Sequence, residues 1–288
     1  GPPSSVDFGT IYMLTFKPVM IKLTKTAGPV RVAPGDPVEI KGLLFTVGGP
    51  AASVTVGAFA ATNVLVENPE TLDLVTPIDL SPGTLNDVTL TTEDATTSTL
   101  PRAWLGDFLD VPTEDPNHDF VERVFRAQLM NGCGGGNFCQ AGTLERGDLV
   151  VLALKAKHGP AWAPPACTGQ FHDVRCPGPQ ADWIEASVAE WIAEPCGPHR
   201  FCPHQKIRRE TLPEIVLKTA QGSDFEPPGC TGIFRDVPCP SRFADGIEEL
   251  YREGVVEVCQ DSPLRYCPKG DVDRVSMARF AARAFRLP

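Results

Sequence analysis

Ten cysteines stand in five close pairs, all beyond residue 130: Cys133/Cys139, Cys167/Cys176, Cys196/Cys202, Cys230/Cys239 and Cys259/Cys267. Clustered cysteines either hold a metal or cross-link the chain. Structural zinc sites are built from converging Cys-x2-4-Cys clips, and these spacings are wider. An even count at regular local spacing reads instead as a disulfide framework formed in an oxidising compartment, each cysteine joined to its nearest neighbour. His199 and His204 flank Cys196 and Cys202 and could be drawn as a zinc clip. The pairs Cys133/Cys139 and Cys259/Cys267 have no histidine beside them, which favours the disulfide. Closing loops this small contributes roughly 2–3 kcal/mol each.

Other reactive groupings are sparse. The stretch from Gly132 to Gly136 is glycine-rich but lacks the lysine of a phosphate-binding loop. Neither Gly-x-Ser-x-Gly nor His-Glu-x-x-His occurs, and no carboxylate pair is set apart as a glycosidase would require. Asp271 and Asp273 suit either calcium or a solvated loop. The expectation is a protein that is not an enzyme and carries no cofactor or metal. A net charge of −10 argues against nucleic acid as a partner. No run approaches the roughly 20 apolar residues of a membrane span. The first residues, Gly1-Pro2, read either as a mature terminus after signal removal or as a remnant of tag cleavage.

The elements that must position these loops recur along the chain. Phe108-Leu109-Asp110-Val111 returns as Phe171-His172-Asp173-Val174 and as Phe234-Arg235-Asp236-Val237, 63 residues apart both times. Asp119-Phe120-Val121-Glu122 returns as Asp182-Trp183-Ile184-Glu185 and Asp245-Gly246-Ile247-Glu248, and Cys133, Cys196 and Cys259 keep the same spacing. The third copy then gains two residues, which aligns Arg146, Arg209 and Arg274. Apolar residues at helical spacing predict a first helix in each copy: Val121, Val124, Phe125 and Leu129; Ile184, Val188 and Trp191; Ile247, Leu250, Tyr251 and Val255. A second helix starts near the aligned arginine and carries Leu149/Leu152, Leu212/Ile215 or Met277/Phe280. Between them lies a cysteine loop whose residue before the second Cys is aromatic: Phe138, Phe201 and Tyr266. The repeated Asp110, Asp173 and Asp236 are expected to cap the first helix or brace this loop.

This pattern resembles the S-layer homology (SLH) module: a Phe-x-Asp-Val opening, an amphipathic helix, a Gly-rich loop and an Ile-Thr-Arg-Ala-Glu-like start to the second helix. That start is here Thr143-Leu144-Glu145-Arg146-Gly147-Asp148, Lys206-Ile207-Arg208-Arg209-Glu210 and Asp271-Val272-Asp273-Arg274-Val275. The resemblance implies three modules packed as a pseudo-trimer, with Arg146, Arg209 and Arg274 lining grooves that bind anionic cell-wall polysaccharide. The other role open to these arginines is structural, pairing with the repeated aspartates. The chain departs from the family pattern in its cysteine clips. It also keeps the acidic residue after the arginine only at Glu210.

Residues 29–104 lack cysteine and alternate between short apolar-polar runs and turn signals, as in Val38-Glu39-Ile40-Lys41 and Ser53-Val54-Thr55-Val56. They look like an immunoglobulin-like domain of the IPT/TIG family, on Pro34-Gly35-Asp36-Pro37 and Ser81-Pro82-Gly83-Thr84. Upstream, Ile11, Tyr12, Met13, Leu14 and Phe16 make a run apolar on both faces, which suits either the chain's own sheet or insertion into another copy as a donated strand. The expected architecture is multidomain: an N-terminal all-β Ig-like sandwich followed by a mainly α pseudo-trimer of helix-loop-helix repeats. Its divisions are an extension (1–18), the sandwich (19–104) and three repeats (105–160, 161–223 and 224–288). The expected function is a structural subunit of an extracellular bacterial surface assembly, a filament or surface layer polymerising with itself. The alternative is a cell-surface protein anchored by wall polysaccharide.

Overall fold

The computed structural model describes residues 19–25, 35, 37–43, 45, 51–92 and 95–288, with backbone alone at 19–25, 51, 52 and 92. The chain forms two compact units, 1–106 and 107–288.

In the first unit, alternating residues form strands that order into two four-stranded sheets. One sheet runs β1 (Val19–Lys25), β2 (Pro37–Leu43), β6 (Thr71–Val75), β5 (Thr62–Asn68); the other runs β4 (Phe59–Ala60), β3 (Ala51–Val56), β7 (Thr84–Thr92), β8 (Thr97–Gly106). All these pairings are antiparallel, with Ile40 opposite Leu72 and Val54 opposite Leu90. Alternate residues of β2, β3, β6 and β7 are buried: Val38 and Ile40, Val54 and Val56, Leu72 and Leu74, Val88 and Leu90 share a core with Phe45 and Trp104. That is the consequence of the period-2 geometry of a strand.

The second unit contains α1 (His118–Arg126), α2 (Arg146–His158), α3 (Ala181–Ala189), α4 (Leu212–Gln221), α5 (Ala244–Arg252) and α6 (Arg274–Ala284). Each repeat supplies two. Its first helix packs on the second helix of the repeat before it, α3 on α2 and α5 on α4, and α1 closes the circle on α6. At the centre three short segments meet edge to edge. The Ile207 N–H donates to the Leu144 carbonyl at 3.1 Å, Val272 to Ile207 at 2.9 Å, and Leu144 to Val272 at 3.5 Å. Leu144, Ile207 and Val272 are buried there. So are Leu149, Leu152, Leu212, Ile215, Met277 and Phe280 of the second helices.

The expected fold class is corrected. The chain is not an N-terminal β-sandwich followed by a mainly α repeat region. Among the described residues it is a mixed α/β fold, with six helices and ten strands in small antiparallel sheets. Register shifts interrupt four of the strand pairings, and β4 is two residues long. The helices of the second unit are only 9–13 residues long; α2 and α4 end at Gly159 and Gly222, while α1 and α3 end just before Gln128 and Trp191, which take positive φ. The two residues gained by the third repeat fall in a hairpin, β9 (Gln260–Asp261) with β10 (Leu264–Arg265). Trp191 was expected on the apolar face of a first helix. It lies instead beyond the end of α3 with φ +60°, 73% exposed. Ile11, Tyr12, Met13, Leu14 and Phe16, and with them the donated strand, lie outside the described residues.

Candidate functional site

All ten cysteines are joined to their nearest neighbours: Cys133–Cys139, Cys167–Cys176, Cys196–Cys202, Cys230–Cys239 and Cys259–Cys267. With no free cysteine, this pattern belongs to an oxidising, extracellular-type compartment. No helix among the described residues is long and apolar enough to cross a membrane. Cys196 and Cys202 lie close to Asp173, and Cys259 and Cys267 to Asp236, but their sulfurs are bonded to each other. Asp273 accepts the Ser276 N–H at 2.8 Å as the N-cap of α6, and Asp271 lies 3.7 Å from Lys206.

The repeated aspartates brace the cysteine loops. Asp110 accepts the N–H groups of Phe138 and Cys139, both at 2.7 Å. Asp173 accepts those of Phe201 and Cys202, and Asp236 those of Tyr266 and Cys267, all at 2.8–2.9 Å. Burial tends to raise the Asp173 pKa, but the donated N–H groups outweigh it and hold the carboxyl below its usual range. This bracing turns Phe138, Phe201 and Tyr266 fully inward.

The arginines do not pair with these aspartates. Each reaches across to the cysteine loop of the next repeat and donates to backbone carbonyls. Arg146 donates to Phe201 O at 3.1 Å and to Glu194 O; Arg209 to Tyr266 O at 2.8 Å and Glu257 O at 2.5 Å; Arg274 to Phe138 O at 2.8 Å and Asn131 O. Each guanidinium also sits 4.3–4.8 Å from the ring centroid of that same aromatic residue, a cation–π geometry. Burial lowers the Arg146 and Arg274 pKa values without discharging either group. Tyr266 also donates its hydroxyl to Arg209 O at 2.9 Å, and burial pushes its pKa well up.

What lies outside this ring differs between junctions. Between the first and second repeats a groove of about 190 Å³ runs along Arg146, Lys206, Arg208, Gln205 and Thr211. Lys206 and Arg208 are each more than half exposed; Lys206 forms a long ion pair with Asp271 at 3.7 Å, and Arg208 one with Glu210, which also lines the groove, at 3.9 Å. The residues aligned with Lys206 and Arg208 are Asp271 and Asp273 in the third repeat and Thr143 and Glu145 in the first. Beside Arg209 and Arg274 the equivalent positions are therefore acidic or neutral. Lys206 and Arg208 were passed over in the sequence, although comparing the charge at one position across three copies would have found them.

The glutamate of the recurring Asp-x-x-Glu segment has a role that its recurrence alone does not show. Glu185 accepts the N–H groups of Thr168, Gly169 and Gln170 at 2.7–2.9 Å, and Glu248 those of Thr231, Gly232 and Ile233 at 2.7–2.9 Å. These carboxylates hold the loops closed by Cys167–Cys176 and Cys230–Cys239. Burial tends to raise both pKa values; the backbone and threonine donors overcome it and lower them.

No family model and no curated protein matches this chain. Among solved structures, similarity is found to the SGBP-B protein of a complex xyloglucan utilization locus in Bacteroides uniformis, with TM-score 0.25, 20% identity, and coverage of 31% of this chain and 23% of that one. It is also found to an auxiliary nutrient binding protein of Bacteroides thetaiotaomicron, with TM-score 0.23, 13% identity, and coverage of 31% and 21%. The γ-CGTase of alkalophilic Bacillus clarkii gives TM-score 0.23, 28% identity, and coverage of 28% and 11%. The chain thus spans less than a quarter of each of these proteins. Likenesses this partial carry no argument about its fold or its role.

Proposed function

We propose that the protein is an extracellular surface-attachment protein, and that its second unit holds an anionic polysaccharide in the groove beside Arg146. In this reading the three repeats are SLH-like modules of which one junction has kept a ligand groove. The observation that carries it is the convergence of Lys206 and Arg208 with Arg146 on a single groove, while the aligned positions elsewhere are Asp271, Asp273, Thr143 and Glu145. In a chain of net charge −10, a local basic patch selects a ligand bearing carboxylate or phosphate groups. Gln205 and Thr211 on the groove wall offer hydrogen bonds to sugar hydroxyls. Arg146 is already committed to two carbonyls, so its part is to fix the groove and add positive potential. Lys206 and Arg208 make the direct contacts.

The test is affinity electrophoresis through gels containing polygalacturonate, with neutral dextran as control. Retardation by polygalacturonate alone, weakened as salt shortens the screening length, is the expected outcome. It should fall at least tenfold in Lys206→Ala/Arg208→Ala, with the melting temperature unchanged. Equal retardation of wild type and double variant, or none at low salt, removes the proposal.

A further inference from the structure

One residue in each repeat stands at the N-cap of the first helix: Asn117, Gln180 and Phe243. Two of them clasp the preceding repeat. Gln180 donates its amide to Asp148 at 2.8 Å, and Asn117 accepts from Arg279 at 2.9 Å while donating to Gln140 at 3.3 Å. Gly147 makes room for the first clasp: a Cβ there would lie 2.1 Å from Gln180 Oε1. At the junction of the second and third repeats the chain has Glu210 in place of Gly147 and Phe243 in place of the amide. The polar clasp is gone and a groove of about 280 Å³ is open in its place.

Phe243, Phe225 and Pro213 are among the apolar residues that line this groove, and Glu194, Glu214 and Arg242 are among the polar ones. Arg242 reaches Glu194 at 3.0 Å and Glu214 at 3.7 Å, with its guanidinium 5.3 Å from the Phe243 ring centroid. Lys218 also meets Glu214 at 3.4 Å. The other two carboxylates of the lining are engaged as well: Asp245 accepts the Cys230 N–H at 2.8 Å, and Glu210 lies 3.9 Å from Arg208. Since every carboxylate already has a donor or a cation beside it, the groove does not call for a cationic ligand, and its acidic excess disfavours an anion. A lining that sets aromatic and proline surface beside hydrogen-bonding groups matches a ring with an apolar C–H face and a hydroxylated edge. The volume falls just short of the roughly 300 Å³ at which pockets for drug-sized ligands begin, which suits one or two sugar rings.

We infer that this groove is a second binding site, for an uncharged pyranose, separate from the basic groove on the other side of Glu210. The inference stands whether or not the basic groove binds polysaccharide. Saturation-transfer NMR on the intact protein tests it with cellobiose, N-acetylglucosamine and methyl α-mannoside, and with cadaverine as a cationic control. At least one sugar should receive saturation, strongest on the C–H protons of one ring face. Its affinity should fall at least tenfold in Phe243→Gln, which restores the side chain found at position 180, and several-fold in Glu214→Gln. The second variant keeps the test decisive if Phe243→Gln does not fold. The inference is overturned by transfer to none of the sugars, by transfer to cadaverine alone, or by sugar affinity that survives the folded variants. Loss of sugar binding in Lys206→Ala/Arg208→Ala with retention in Glu214→Gln would also overturn it, by placing the sugar in the basic groove.

Discussion

The inner ring of the second unit and its outer rim obey different rules. Inside, each position does the same thing three times. Arginine reaches two carbonyls of the next repeat, aspartate gathers the N–H groups of its own cysteine loop, and the aromatic residue before the second cysteine fills the space between them. Outside, aligned positions diverge: Lys206 against Asp271 and Thr143, Phe243 against Gln180 and Asn117. A closed ring of three unequal repeats must satisfy the same buried backbone groups at every junction, so its inner residues are held to one chemistry. Its rim is not. Threefold recurrence therefore marks the residues that hold the ring together, and departures from it mark the places where a ligand can be selected.

The strongest way to break this distinction is to remove an inner arginine. Arg209→Ala leaves the Tyr266 and Glu257 carbonyls without their charged donor and empties the space beside the Tyr266 ring. Hydrogen bonds to charged groups contribute about 1.5–3 kcal/mol each and are not additive, so a loss of about 3 kcal/mol is expected in chemical denaturation. Arg209→Lys should recover less than half of it, because an ammonium cannot reproduce the two-pronged geometry. Arg146→Ala and Arg274→Ala should cost similar amounts. If any of the three left stability unchanged while abolishing polysaccharide binding, that arginine would belong to the rim.

The inner residues were legible from the 63-residue recurrence, since arginine, aspartate and aromatic each repeat at one position. The acceptors of the arginines were not. They are backbone carbonyls 48–143 residues away in the chain, and a carbonyl leaves no mark on residue type. The aspartates were thus offered as partners for the arginines although each has its own loop to brace. The length of the helices misled for a related reason: apolar spacing continues through Leu129, Trp191 and Val255, but the helices stop at Arg126, Ala189 and Arg252. The turn that follows takes positive φ at Gln128, Trp191 and Gly254. Only the glycine announces that.

A sharper comparison uses the repeated glutamate, which has a different task in the first repeat. Glu248 is buried and collects three backbone N–H groups, the Thr231 hydroxyl at 3.0 Å and Arg252 at 2.9 Å. Glu122 has no second cysteine loop to hold and pairs with Arg126 on the surface of α1 at 2.6 Å. Glu248→Gln should cost about 2 kcal/mol, since an amide keeps one acceptor oxygen and buries two new donors. Glu122→Gln should cost less than about 0.5 kcal/mol. The folded pKa of Glu248 is depressed, so its contribution is fully present above the unfolded carboxylate value and is lost as pH falls through the folded one. Wild-type stability should therefore drop in acid below the ordinary carboxylate range, and Glu248→Gln should flatten that drop. An equal acid response in wild type and Glu248→Gln would show that the second cysteine loop stands without its carboxylate.

The smallest effect is expected where the first repeat lacks that loop and has a buried histidine instead. His118 opens α1, is 5% exposed, and meets Asp107 at 2.9 Å through Nε2. Asp107 is held in turn by the Thr113 hydroxyl at 2.5 Å. The other ring nitrogen lies 3.7 Å from Asp119 and 3.9 Å from Glu122, too far for a hydrogen bond but close enough to favour a proton there. Burial alone would lower the His118 pKa; the hydrogen bond and charge of Asp107, then Glu122 and Asp119, outweigh it and raise it. A folded pKa above the unfolded one means that the stabilisation is complete below the unfolded value of about 6.5 and fades as pH rises through the folded value. The expected outcome is a modest fall in melting temperature of the second unit across that alkaline side, absent in His118→Gln. Glu122→Gln should weaken the pH response while leaving the acid response set by Glu248 untouched. A wild-type profile flat above pH 6.5, or one unchanged in His118→Gln, would mean that His118 stays neutral and that Asp107 holds it only as a hydrogen-bond acceptor.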